Sequence, residues 1–134
     1  VKFIDSNYKT IARKQGRAIC GLSMGGFHTL YISLNYPDMF NYSGMFSAAI
    51  GVSEQQMCPM YDNFDAKLAE YFSKKPALLW IGCGNTDFLY KSNNDFMEKM
   101  NSAGYPYTYR ESEGGHIWRN WRIYLSEFVP LLFK

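Results

Sequence analysis

The chain has 134 residues, 47% hydrophobic and 18% aromatic, enough apolar surface to build a core and to exclude disordered and fibrous classes. Its 14 basic and 12 acidic residues give a formal charge of +2 with no run of like charge, which excludes a nucleic-acid or anionic-membrane surface and leaves a neutral or weakly charged substrate. Cys20, Cys58 and Cys83 match no zinc spacing, so no metal or other cofactor is implied; they read as structural thiols, Cys20 and Cys83 as small buried hydrophobes at strand ends. No apolar stretch of about 18 residues offers a membrane span, and residues 1–14 lack the pattern of a signal peptide.

Short apolar runs alternate with helical patterns, as in βαβ units whose parallel strands are covered on both faces, so an α/β fold with a mostly parallel sheet flanked by helices is expected. Residues 17–22 form the first predicted strand. A helix over 23–35 follows, stopped by Tyr36-Pro37 because the residue before a proline leaves helical space. The next strand is 42–47. Residues 48–73 mix polar, Met and Pro residues around Met57-Cys58-Pro59-Met60, and are expected to be an insertion or cap loop ending in a short helix. The strand at 77–82 is the clearest, an apolar run between Pro76 and Gly82. A helix over 90–103 stopped by Gly104, a strand over 105–110 and a closing helix over 118–133 complete the pattern.

Between the first strand and first helix lies Gly21-Leu22-Ser23-Met24-Gly25, a G-x-S-x-G sequence in the context that motif requires. Ser23 must turn sharply there, so Gly21, Gly25 and Gly26 are expected to be small enough for strand and helix to approach. The turn lifts the hydroxyl outward and places the Met24 N–H at the positive end of the helix, where it would donate to an oxyanion. A serine needs a base within reach, and the chain has two histidines. His28 is five residues along the same helix and cannot face back over the turn, so it reads as a packed or surface imidazole. His116 sits in the glycine-rich Glu113-Gly114-Gly115-His116 after the last strand and is the candidate base. Asp87 follows the 77–82 strand across Cys83-Gly84-Asn85-Thr86 and is the candidate carboxylate, ahead of Asp62, Asp65 and Asp95. The order Ser, Asp, His is the one found in α/β-hydrolases.

Among the aromatic residues, Trp118, Tyr61 and Phe64 are candidates for stacking on a flat acyl group. Trp121, Tyr124, Leu125 and Phe128 recur at helical spacing and are expected to form the core face of the last helix. Arg122 reads as a surface group.

Four motifs in series, Gly21-Leu22-Ser23-Met24-Gly25-Gly26, Pro37-Asp38-Met39-Phe40, Gly82-Cys83-Gly84-Asn85-Thr86-Asp87 and Gly114-Gly115-His116-Ile117-Trp118-Arg119-Asn120-Trp121-Arg122, make the chain resemble the esterase D-like family of α/β-hydrolases. The resemblance runs from about Ile4 to Lys134 and is greatest to bacterial feruloyl and acetyl-xylan esterases. It implies a Ser23, Asp87, His116 triad, Met24 as one oxyanion donor, release of ferulate or acetate from xylan, and a secreted or periplasmic location. The family also contains siderophore esterases, S-formylglutathione hydrolases and mycolyltransferases. Only 22 residues precede Ser23, too few for the upstream strands and second oxyanion donor that the resemblance implies. The chain is therefore expected to be the carboxyl-terminal part of a domain, its nucleophile strand an open edge completed by an N-terminal half or a second chain. A non-catalytic carbohydrate-binding module that kept the serine turn is the alternative from another functional class.

Overall fold

The computed structural model describes residues 1–51, 58–59 and 61–134, so Met57 and Met60 of the expected cap loop lie outside the described residues. A short helix α1 (Lys2–Asn7) precedes four strands, β1 (Ala18–Leu22), β2 (Tyr42–Phe46), β3 (Leu78–Gly84) and β4 (Thr108–Ser112). Helices α2 (Met24–Asn35), α3 (Phe64–Ser73) and α4 (Tyr90–Ala103) connect them, and α5 (Trp118–Phe128) follows the last strand. All neighbouring strands pair in parallel in the order β1-β2-β3-β4, with Gly21 opposite Met45 and Met45 opposite Ile81. When strand order follows chain order, crossovers of one hand fall on one face of the sheet. The packing shows this: α2, α3 and α4 share one core, and α5 covers the other face.

Period-two alternation divides the strands between these cores. Met45, Leu79 and Ile81 meet Leu30, Leu34, Leu68, Tyr71 and Met100 on the three-helix side. Tyr42, Phe46 and Trp80 meet Trp121, Tyr124 and Phe128 of α5 on the other. Ser33 and Ser43, buried on the larger core's side of the sheet, pair with each other, their hydroxyls 2.8 Å apart.

The α/β class and the order of elements are as expected; several boundaries and faces are not. β4 begins at Thr108 and runs to Ser112 where residues 105–110 were expected, because Pro106 has no N–H for a ladder, and Tyr105 instead stacks on Phe72 at 4.3 Å. β3 continues past Gly82 to Gly84. A side chain at 82 would come within 2.7 Å of the Trp80 ring, so this glycine serves packing and does not end the strand. The last α-helix stops at Phe128, short of the expected 133, and passes into a 3₁₀ turn at Val129–Leu131, since Pro130 cannot donate to the helical ladder. Leu125, expected in the core, is 45% exposed. Cys20 is exposed rather than buried, because α5 packs over β2 and β3 and leaves its side of the edge strand uncovered. α1 was not foreseen in the pattern of residues 1–14; it is tied to β1 by Asp5, which accepts from the Thr10 hydroxyl and pairs with Arg17. The Thr10 hydrogen bond and the Arg17 guanidinium hold that carboxyl below its ordinary range.

Candidate active site

In a parallel sheet every strand ends on the same side, so the segments after β1, β3 and β4 converge there. They carry Ser23, Asp87 and His116. Ser23 has φ 53° and ψ −118°, a region disfavoured for a residue with a Cβ, at a cost of about 1–3 kcal/mol. Its neighbours fix it there. The Ser23 N–H donates to Phe46 O at 2.8 Å, and the Ser23 carbonyl accepts from the N–H groups of Gly26 at 3.0 Å and Ala49 at 2.9 Å. Two of the expected close approaches are real: a Cβ on Gly21 would lie 2.3 Å from the Gly25 carbonyl oxygen, and one on Gly26 2.7 Å from the Ala48 methyl. The third is not. A Cβ on Gly25 would meet no atom within 4 Å.

The three side chains form one chain of hydrogen bonds. Asp87 accepts from His116 Nδ1 at 2.9 Å (Oδ2) and 3.1 Å (Oδ1), and His116 Nε2 lies 2.9 Å from Ser23 Oγ. Since a carboxylate only accepts, Nδ1 carries the ring proton and Nε2 is left to accept from the serine hydroxyl. Asp87 is buried and also accepts from the Leu89 N–H at 2.9 Å, so its orientation is held by backbone as well as by the imidazole. The imidazole is bracketed by rings. Phe88 lies 4.7 Å away on one side and Trp121 meets it edge-on at 4.8 Å. Trp121 is itself held by its Nε1–H, which donates to Ser47 Oγ at 3.1 Å. Burial, reinforced by the Asp87 carboxylate, pushes the Cys83 thiol up to about 12, so the sulfur beside this network stays neutral.

The remaining candidates fall in different places. Met24 is the first residue of α2 and directly follows Ser23. Trp118 opens α5, is 67% exposed and lies 5.3 Å from Trp121, one ring removed from His116. Tyr61 and Phe64 face each other at 5.6 Å and pack on Phe27 and Phe96 respectively, lining a pocket of about 230 Å³ with Ile50, Ser92 and Lys99. Among the described residues their rings meet Phe27, Phe96 and each other. Asp65 pairs with Lys99 and Asp95 with Lys91, while Asp62 and His28 are exposed, so none of these competes for the site. Sequence reasoning passed over Phe88 and Ser47. Phe88 was findable, since it adjoins Asp87 in the chain; Ser47 was not, because its role depends on a left-handed backbone, φ 45°, and on a tryptophan 74 residues away.

The "Putative esterase" family model matches residues 1–132. An endo-1,4-beta-xylanase/feruloyl esterase of Xylanibacter ruminicola is 33% identical over 132 residues, 98% of this chain and 16% of the relative. An acetyl esterase of Caldicellulosiruptor saccharolyticus is 24% identical, over all of this chain and 60% of the relative. Among solved structures, a ferulic acid esterase superposes with a TM-score of 0.77 at 27% identity, over 97% of this chain and 55% of its own. The chain thus spans less than two thirds of the length of each of these relatives. The superposition is with the α/β-hydrolase fold, over about half of the neighbours' chains.

Proposed function

We propose, from the premise that this chain belongs to the Esterase family, that it carries the catalytic residues of a serine carboxylic-ester hydrolase working through an acyl-enzyme. The observation that carries the proposal is the unbroken Ser23–His116–Asp87 hydrogen-bond chain at 2.9 Å per link, mounted on a strained turn. Ser23 Oγ attacks the ester carbonyl carbon while His116 Nε2 takes its proton. Asp87 keeps the imidazole in the tautomer that accepts at Nε2 and stabilises the imidazolium. The carbonyl oxygen, now negative, accepts from the Met24 N–H at the positive end of α2. As the C–O bond breaks, the leaving alcohol takes the proton from Nε2. Water then attacks the acyl-serine by the same route and the acid departs. In this proposal the second oxyanion donor comes from elsewhere in the assembled fold, from a preceding half or a second chain.

For the substrate we propose ferulate or acetate esters of plant xylan, acted on outside the cytoplasm. The activities named for the relatives support this, as do the exposed ring of Phe88 against the imidazole and that of Trp118 beyond Trp121, which offer flat apolar surface to an aromatic acyl group or sugar. In the full-length protein, Ser23→Ala should lower hydrolysis of methyl ferulate or a p-nitrophenyl ester by about 10⁴-fold or more; unchanged hydrolysis would refute the mechanism. Comparing kcat/KM on methyl ferulate, acetylated xylan and S-formylglutathione then separates the polysaccharide reading from a thioesterase one. Failure of a fluorophosphonate to label Ser23, with carbohydrate binding retained, would identify a non-catalytic module.

A further inference from the structure

Two asparagines outside the hydrogen-bonded triad are almost completely shielded from solvent, Asn93 at 0% and Asn120 at 1% exposure. Burying a primary amide costs stability unless hydrogen bonds offset it. Both side chains direct their Nδ2 donors to backbone carbonyls of the segments that carry the site. Asn120, in the first turn of α5, donates from Nδ2 to Glu113 O at 3.0 Å and to Gly115 O at 3.1 Å, bracketing the glycine loop that delivers His116. Asn93, in α4, donates from Nδ2 to Leu89 O at 2.9 Å and to Ala48 O, 45 residues away, at 2.9 Å. The Leu89 N–H is the group that holds Asp87, and the Ala49 N–H holds the Ser23 carbonyl. Asn93 therefore joins the acid's turn to the segment that fixes the nucleophile's backbone.

In both side chains Oδ1 is buried and accepts no hydrogen bond among the described residues. The donors alone are used, although a buried unpaired acceptor costs stability. What each amide does in return is hold two backbone carbonyls at a set spacing. Nor is there slack around Asn120. A Cβ on Gly84, at the end of β3, would lie 2.1 Å from Gly114 O and 3.0 Å from Asn120 Nδ2.

We propose that Asn93 and Asn120 are positioning residues of the ester-cleaving site, Asn120 fixing the loop that presents His116 and Asn93 fixing the Asp87 turn against the backbone of Ser23. This rests on the esterase reading above. A displacement of about 1 Å in such a constellation costs on the order of 10²-fold in rate, whereas substrate binding is not its function. In the full-length protein, Asn93→Ala and Asn120→Ala should each lower kcat on methyl ferulate or p-nitrophenyl acetate by about 10- to 100-fold per folded molecule, with KM within about twofold. Folded fraction is read from near-ultraviolet circular dichroism. Asn120→Asp, which sets an oxygen against two carbonyls, should be at least as slow as the alanine variant. The low-field proton resonance of His116 Nδ1–H donating to Asp87 should weaken or vanish in each alanine variant. If Asn120→Ala does not fold, Asn120→Ser, with one shorter donor, takes its place and should show the same split between kcat and KM. The proposal is overturned if kcat per folded molecule is unchanged in either position's variant, if the loss lies wholly in KM, or if the low-field resonance is unaltered. A wild-type protein that cleaves no ester refutes the esterase reading instead, and the resonance still decides on the two asparagines.

Discussion

Ser23 is held in its unusual backbone conformation by three segments at once: Phe46 takes its N–H, and Gly26 and Ala49 donate to its carbonyl. Such over-determination is what lets a strained residue persist. Glycine has no Cβ to clash at φ 53°, ψ −118°, so Ser23→Gly should raise the unfolding free energy by up to about 1 kcal/mol, after the added freedom of the unfolded chain is subtracted, while removing activity. Urea titration beside an ester assay checks this; a destabilised Ser23→Gly protein would mean that the turn is not strained. Asp87→Asn keeps the shape of the site but lets the wrong imidazole tautomer form, so kcat should fall by about 10³- to 10⁴-fold with little change in KM. The Ser23 turn was legible in the sequence because it is a local event, small residues flanking a serine between two periodicities. Asp87 and His116 were legible because parallel strands place all their carboxyl ends together. Their supports, Ser47, Asn93 and Asn120, were not, since each acts through partners that only the folded backbone brings near.

At the scale of elements, helix α2 approaches β1 and the segment after β2 so closely that some glycines are compulsory and others are not. Gly21→Ala sets a methyl 2.3 Å from a backbone oxygen and should cost several kcal/mol or prevent folding, because backbone cannot move aside as a flexible side chain can. Gly25→Ala meets open space and should leave the fold intact, adding up to about 1 kcal/mol of stability from helix propensity. Paired denaturation curves test the contrast, and equal effects of the two substitutions would contradict it. The motif alone treats the two positions alike; only the geometry of the crossing separates them. Strand and helix boundaries were misjudged for a related reason. Gly82 looks like a stop signal in the sequence, yet it is the room left for the Trp80 ring, and Tyr105, which reads as strand, is turned aside by Pro106 to stack on Phe72.

At the largest scale, the distinguishing feature is that, among the described residues, the nucleophile's strand lies at the edge of the sheet. An unpaired apolar edge is a template for another strand. The 134-residue chain by itself should therefore associate through β1, seen in native mass spectrometry as species heavier than the 15.5 kDa monomer. A stable, folded monomer at all concentrations would contradict this. The α/β class, the parallel sheet and the order of elements follow from the alternation of apolar runs and helical patterns. Which side of the sheet α5 covers, and hence the exposure of Cys20 and Leu125, depends on packing that no local pattern encodes. The central claim, that one hydroxyl on this turn takes up an acyl group, is tested most directly by rapid quenching of the full-length protein with a feruloyl or acetyl ester, followed by peptide mass mapping. The account predicts an acyl group on Ser23 that forms and decays at catalytically competent rates. Turnover of the ester with Ser23 unmodified at every time point would contradict it.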